Sequence, residues 1–306
     1  MSYLVSIATD AYPADALARL GESMASAGAA RAAIWLSQLA YEDEAAKVAT
    51  VMARWGVTPL LVFDRPSPAL FATAHARGFV ARSGDIVVVA FGGTDPLVFA
   101  NWITDLHFVR DASGVHRGFA QALDLMWPEI AALLPRDGTR LLFAGHSLGA
   151  ALAQLAALRA FETLGLAPDA VYGFGTPRVG DAAYAARANA AFGMRHCRLA
   201  HGQDIVPSLP PVALGFNHAG RYLHCDRLGH FDLTDLSPAP SEAPGNGDAP
   251  ATSLRDLLPN LAHLLRRTPD PDDDRRAGPQ NIARSLPAIF GDHLPFRYWN
   301  ALEGVA

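Results

Sequence analysis

Apolar positions along this chain change their period several times. Between residues 29 and 55, Ile34, Leu36, Leu39, Ala40, Val48, Val51 and Met52 recur at helical spacing. With the stretch Pro13 to Ala25 they predict two opening helices. The runs Leu60 to Phe63, Leu70 to Arg82 and Asp85 to Phe91 read as strands. In the last of these, Val87 to Ala90 is apolar at every position, as a strand buried on both faces requires. A helix follows from Phe119 to Leu134, then a strand from Leu141 and a helix from Leu148 to Leu164. A strand from Ala170 to Phe174, a helix from Ala182 to Phe192 and a strand from Met194 to Ala200 complete the series. Strands alternating with helices predict an α/β fold with a mostly parallel central sheet flanked by helices.

Near Ser237 the texture shifts. "SPAPSEAPGNGDAPA" and "TPDPDDDRRAGPQ" are loop-like, being dense in Pro, Gly, Ser and charge, and they flank a helix-like "SLRDLLPNLAHLLRR". The aromatic and apolar tail from Ser285 to Glu303 must pack back on the body. The expected organisation is one domain over residues 1–306. It has N-terminal helices at about 13–55 and a loop-rich insertion at about 237–284.

Composition narrows the chemistry. Net charge is −5 over 306 residues with no basic block, so nucleic acid is not an expected partner. Lys47 is the only lysine, and it sits in the charged run YEDEAAK. A phosphate-binding P-loop and a pyridoxal Schiff base both need a lysine in a setting that this one lacks. Two cysteines, Cys197 and Cys225, do not make a disulfide framework. The first residues show no basic-then-apolar leader pattern, and no apolar run reaches the roughly 18 residues of a membrane span. Together these predict a soluble, cytoplasmic protein.

The densest signal is "LLFAGHSLGAALA", where an apolar strand stops at Gly145 and a helix-like run starts at Leu148. Gly145-His-Ser147-Leu-Gly149 fits G-x-S-x-G, a sharp strand-to-helix turn that thrusts a serine hydroxyl above the sheet. The helix beyond it points its positive end at the reacting atoms, and His146 reads as a packed structural side chain. A serine nucleophile needs an acid and a base further along the chain. Asp204 ends a strand and a short loop, whereas Asp181 begins a helix and Asp169 precedes a strand at the wrong end of the sheet. For the base, the chain offers His218, His224, His230, His263 and His293; the last lies in a loop after all predicted strands. His224, Cys225, Asp226 and His230 match no zinc spacing, so no metal site is expected.

With these residues placed, the sequence resembles the class 3 lipases, a family of α/β-hydrolases. The likeness rests on "VVVAFGGTD", "NWITDLHF", "VHRGFAQAL", "FAGHSLGAALA", "YGFGTPRVGD", "HGQDIVPSLP" and "GDHLPFRYWNALE", in that order from Val87 to Glu303. The resemblance implies Ser147 as nucleophile, Asp204 as acid and His293 as base, with the oxyanion held by Thr94 and Leu148. It implies hydrolysis of lipid or small esters through an acyl-enzyme, transient contact with a lipid–water interface, and no cofactor. Phospholipase and acyltransferase chemistry run on the same triad, and a non-catalytic lipid-binding chain is the alternative from another class. Residues 95–101 fall where the family carries a lid. The chain departs from the family pattern at Gly92, where arginine is usual, and a glycine there implies a freer oxyanion loop.

Overall fold

The computed structural model describes residues 5–21, 23, 26–68, 75–94, 108–233 and 288–303. Seven strands form one sheet: β1 Thr58–Pro66, β2 His75–Ser83, β3 Ile86–Phe91, β4 Arg140–His146, β5 Ala170–Phe174, β6 His196–His201 and β7 Arg221–Cys225. They lie side by side in chain order. The pairs β1–β2 and β2–β3 are antiparallel, and every pair from β3 to β7 is parallel.

That order constrains the rest. Parallel neighbours need crossovers, and right-handed crossovers that always step the same way put all their helices on one face. The crossover helices are α3 Arg117–Asp124, α4 Trp127–Leu133, α5 Leu148–Leu164 and α6 Ala182–Phe192. They share one hydrophobic cluster with Val87, Val89 and Phe91 of β3. The alternate residues Ile86, Val88 and Ala90 point the other way. Their cover comes from both ends of the chain. It consists of α1 Ala27–Leu39 and α2 Ala45–Arg54 from the first 55 residues, and α8 Pro295–Leu302 from the tail, preceded by a single turn, α7 Ala288–Gly291. Trp35 stacks on Trp299 at 4.5 Å between ring centroids, and Arg31 pairs with Glu303 at 3.2 Å, joining the two ends.

The opening helices differ from the periodicity in two places. Residues 14–21 run as successive turns held by bonds such as Ala18 N–H to the Asp15 carbonyl, and continuous helix starts only at Ala27, where Ser26 accepts the Ala29 N–H. The predicted 29–55 helix breaks between Leu39 and Ala45 because Glu42 turns inward. Its carboxylate accepts from the Ile7 N–H, the Tyr12 hydroxyl, the Ser6 hydroxyl and the ammonium of Lys47. The Phe119–Leu134 stretch also divides, with Pro128 opening the second piece. Strand β2 starts at His75; residues 70–74 of the predicted strand, and the insertion at 237–284, lie outside the described residues.

Helix α1 lies close on the sheet through small side chains, with Ala29, Ala30, Ala32 and Ala33 fully buried. There is no slack for added methylenes. Ala33→Leu is expected to destabilise the fold by about 1–3 kcal/mol, seen as a lower urea midpoint at unchanged m. An unchanged midpoint would mean that this cover is loosely packed.

Candidate active site

Ser147 occupies the joint of β4 and α5 with φ 59° and ψ −128°, and among the described residues it is the only non-glycine at positive φ. The strain is held by its surroundings. Its N–H donates to the Phe174 carbonyl at 2.8 Å, at the end of β5. A Cβ on Gly145 would fall 2.1 Å from the Gly149 carbonyl oxygen, and one on Gly149 would fall 2.3 Å from that of Phe91. Both glycines of the motif are therefore places where backbone meets backbone. Leu148, next in line, is the first residue of α5, where N–H groups precede the helix's own bonding.

Three sequence-predicted residues meet here. The imidazole of His293 lies between Ser147 and Asp204, with Nε2 2.8 Å from the Ser147 Oγ and Nδ1 2.8 Å from the Asp204 Oδ2. A carboxylate only accepts, so Nδ1 carries the proton and Nε2 is left to accept from the serine hydroxyl. Asp204 is buried. Its Oδ1 accepts the Val206 N–H at 2.8 Å, and its Oδ2 also accepts the Tyr298 hydroxyl. Burial, then the charge of Asp204, raises the Tyr298 phenol well above its ordinary range, so Tyr298 stays a donor.

The loop of Thr94 passes over the elbow. A Cβ on Gly93 would lie 2.9 Å from the Ser147 Cβ, and Thr94 itself is buried. Gly92 has a reason other than the expected backbone freedom. A Cβ there would fall 2.4 Å from the Ala40 carbonyl oxygen, because the α1–α2 junction packs against this loop. The stretch 95–101, which falls where the class 3 lipases carry a lid, lies outside the described residues.

The other candidates lie elsewhere. Asp181 caps α6 by accepting the Tyr184 N–H, and Asp169 accepts the Leu141 N–H at the start of β4. His218 is buried with its Nε2 on the Pro207 carbonyl, while His224 sits on the edge strand β7 against the Gly202 carbonyl. His230 is exposed, and His263 is outside the described residues. Burial first, then the Arg198 and Arg221 charges, push the buried His196 down to about 3.

Two neighbours were not read from sequence. Tyr298 lies on α8, five residues past the histidine. Asp292, its side chain fully buried beside His293, accepts from the Gln203 N–H at 3.0 Å and from the Arg227 Nε at 2.9 Å. That carboxylate fastens the loop of His293 to the loop of Asp204. Its adjacency to the histidine was visible, but its inward direction was not.

Residues 88–214 match the family described as Lipase (class 3). The chain is 33% identical over 178 residues to a lipase of Rhizomucor miehei, covering 53% of this chain and 46% of that protein. It is 34% identical over 161 residues to secreted mono- and diacylglycerol lipase 1 of Fusarium solani, covering 49% and 45%. The matched stretch thus spans about half the length of these relatives. In three dimensions it resembles the Rhizomucor miehei triacylglyceride lipase with a TM-score of 0.53 at 26% identity, covering 84% of this chain and 91% of that one. A triacylglycerol lipase whose catalytic centre is described as a serine protease triad matches with a TM-score of 0.52 at 25% identity over the same shares. The fold is that of the α/β-hydrolases. The cytoplasmic expectation is corrected by the relatives, several of which are named secreted lipases and point to an extracellular location. Two buried free thiols suit either compartment, so the cysteine count did not discriminate. No described helix is long and apolar enough to cross a membrane.

Two outcomes are expected from this geometry. His196 is neutral when folded and charges when unfolded, so its contribution is complete above about pH 6.5 and is lost as pH falls toward its folded value of about 3. His196→Phe should flatten the acid loss of stability by up to about 1.4 kcal/mol per pH unit in that window, measured as urea midpoints from pH 7 to 4.5; an unchanged slope would place the proton elsewhere. Restoring the family's usual side chain with Gly92→Arg should cost about 1–3 kcal/mol or more by overpacking, read as a lower melting temperature. A gain in stability would refute the close approach of Ala40.

Proposed function

We propose that this chain, whose residues 88–214 match the family described as Lipase (class 3), is a serine hydrolase of lipid carboxylic esters. The observation that carries the reading is the unbroken line Ser147 Oγ, His293, Asp204, closed at 2.8 Å on both sides beneath the first N–H groups of α5. Ser147 attacks the ester carbonyl as His293 Nε2 takes its proton. Asp204 holds the imidazole in the needed tautomer and stabilises its charged form. The Leu148 and Thr94 N–H groups bind the oxyanion, and such donors are often worth about 3 kcal/mol each. The imidazolium then protonates the leaving alcohol. His293 next deprotonates a water that attacks the acyl-enzyme, releasing the fatty acid. Every proton transfer runs between these side chains, substrate and water, so the scheme needs neither metal nor organic cofactor.

The substrate class rests on the company the chain keeps. Several of its relatives are named for mono- and diacylglycerols, and two of its structural neighbours for triacylglycerols or triacylglycerides. Acylglycerols met at a lipid–water interface are the proposed substrates. Residues 1–306 are proposed to act as one domain, with the insertion at about 237–284 preceding the base.

Ser147→Ala is expected to abolish hydrolysis of p-nitrophenyl esters and of emulsified triacylglycerol, with unchanged melting. Activity within tenfold of wild type would end the serine-hydrolase reading. Asp204→Asn should lower kcat by up to about 10⁴ by leaving the wrong histidine tautomer, and a mild effect there with a severe one at Asp181→Asn would reassign the acid.

A further inference from the structure

Tyr41 lies in the short connection between α1 and α2, fully enclosed, more than a hundred residues before the elbow. Its hydroxyl is 2.6 Å from His146 Nδ1, and His146 Nε2 is 2.7 Å from the carbonyl oxygen of His293. Protons fix the direction of this line. A carbonyl oxygen only accepts, so His146 Nε2 bears the hydrogen. Burial, then the proximity of His293, hold the ring neutral, leaving Nδ1 bare to accept from the tyrosine. The sequence of donors is therefore Tyr41 O–H to His146, then His146 N–H to the His293 backbone. The rings of His146 and His293 also lie 4.7 Å apart.

The same tyrosine touches the oxyanion loop. A Cβ on Gly93 would fall 2.1 Å from the Tyr41 hydroxyl oxygen, and one on Gly92 would fall 3.0 Å from the Tyr41 nitrogen. The junction cannot drift away, because the adjacent Glu42 is held by Ile7, Tyr12 and Lys47. One hydroxyl thus meets two separately delivered pieces, the loop before Thr94 and the strand end before Ser147, and reaches a third, the loop of His293, through His146.

The geometry points to Tyr41 as a positioning residue, acting through His146 to set where His293 stands relative to Ser147 and to the oxyanion loop. Such a residue touches no reacting atom. Its effect belongs in kcat, because misplacing a base by a fraction of an ångström to 1 Å is felt in the transition state while substrate binding is spared. The inference rests on the proposed ester hydrolysis.

The test compares Tyr41→Phe, His146→Leu and the double variant on a soluble p-nitrophenyl ester, with melting curves for each. Tyr41→Phe keeps the ring and loses only the hydroxyl. It should melt cooperatively and lose about ten- to a hundredfold in kcat, with KM within about twofold. The double variant should be no worse than His146→Leu, since both changes break one line. A Tyr41→Phe kcat within about twofold of wild type overturns the proposal, as does a double variant whose loss is the product of the single losses. If Tyr41→Phe does not fold, His146→Leu breaks the same line one bond later and must show the same loss at unchanged KM, or the proposal falls. In all these failures wild-type turnover remains, and Ser147→Ala abolishes it. A wild type without Ser147-dependent turnover instead defeats the hydrolase reading, and this proposal with it.

Discussion

A sheet whose parallel strands follow one another in chain order cannot clothe both its faces with its own crossovers. Here β3 to β7 step steadily in one direction, and α3 to α6 all pack on the face of Val87, Val89 and Phe91. The opposite face, carrying Ile86, Val88 and Ala90, would stand open to water without a separate cover. The cover is made from the two ends of the chain. That solution to a burial problem is also what assembles the site, because α1 and α2 bring Tyr41 to the elbow and the tail brings His293 to Ser147.

The site itself is an exercise in tight backbone approach. Ser147 holds a conformation that its side chain disfavours, and it does so because Gly145, Gly149 and Gly93 let three backbone segments close around it. Gly92 belongs to the same set. Its value is the space it leaves for Ala40, and the looser loop that glycine suggests by itself is countered by the packing it permits. Buried polar groups finish the work: Asp292 ties the Asp204 loop to the His293 loop, and Tyr298 braces the carboxylate of Asp204.

Much of this was legible in the sequence, for reasons that are local. The six strands from Leu60 to Ala200 and the helices between them follow from runs and periods within single segments, and the G-x-S-x-G turn carries its own strand and helix. Asp204, which meets His293 in the fold, could be singled out from its place after a strand. What escaped was whatever depends on direction across the fold. Glu42 reads as one more charge on a helical face until the Ile7 N–H and the Lys47 ammonium turn it inward and break the helix. Tyr41 has no pattern around it at all. Among the histidines downstream of Asp204, spacing alone left five open, and the contacts of His293, 146 residues from Ser147, lie far outside any sequence window.

The joining of the two ends has a temporal side. Synthesis delivers Tyr41 and the elbow before His293, which follows Ser147 by 146 positions. Contacts such as Arg31 with Glu303, 272 positions apart, give the topology a strongly non-local character. Until the tail settles over the exposed face, Ser147 stands without the imidazole of His293 beside it. The segment that seals the core is thus also the one that completes the contact between Ser147 and His293, so a chain whose apolar face is uncovered lacks both.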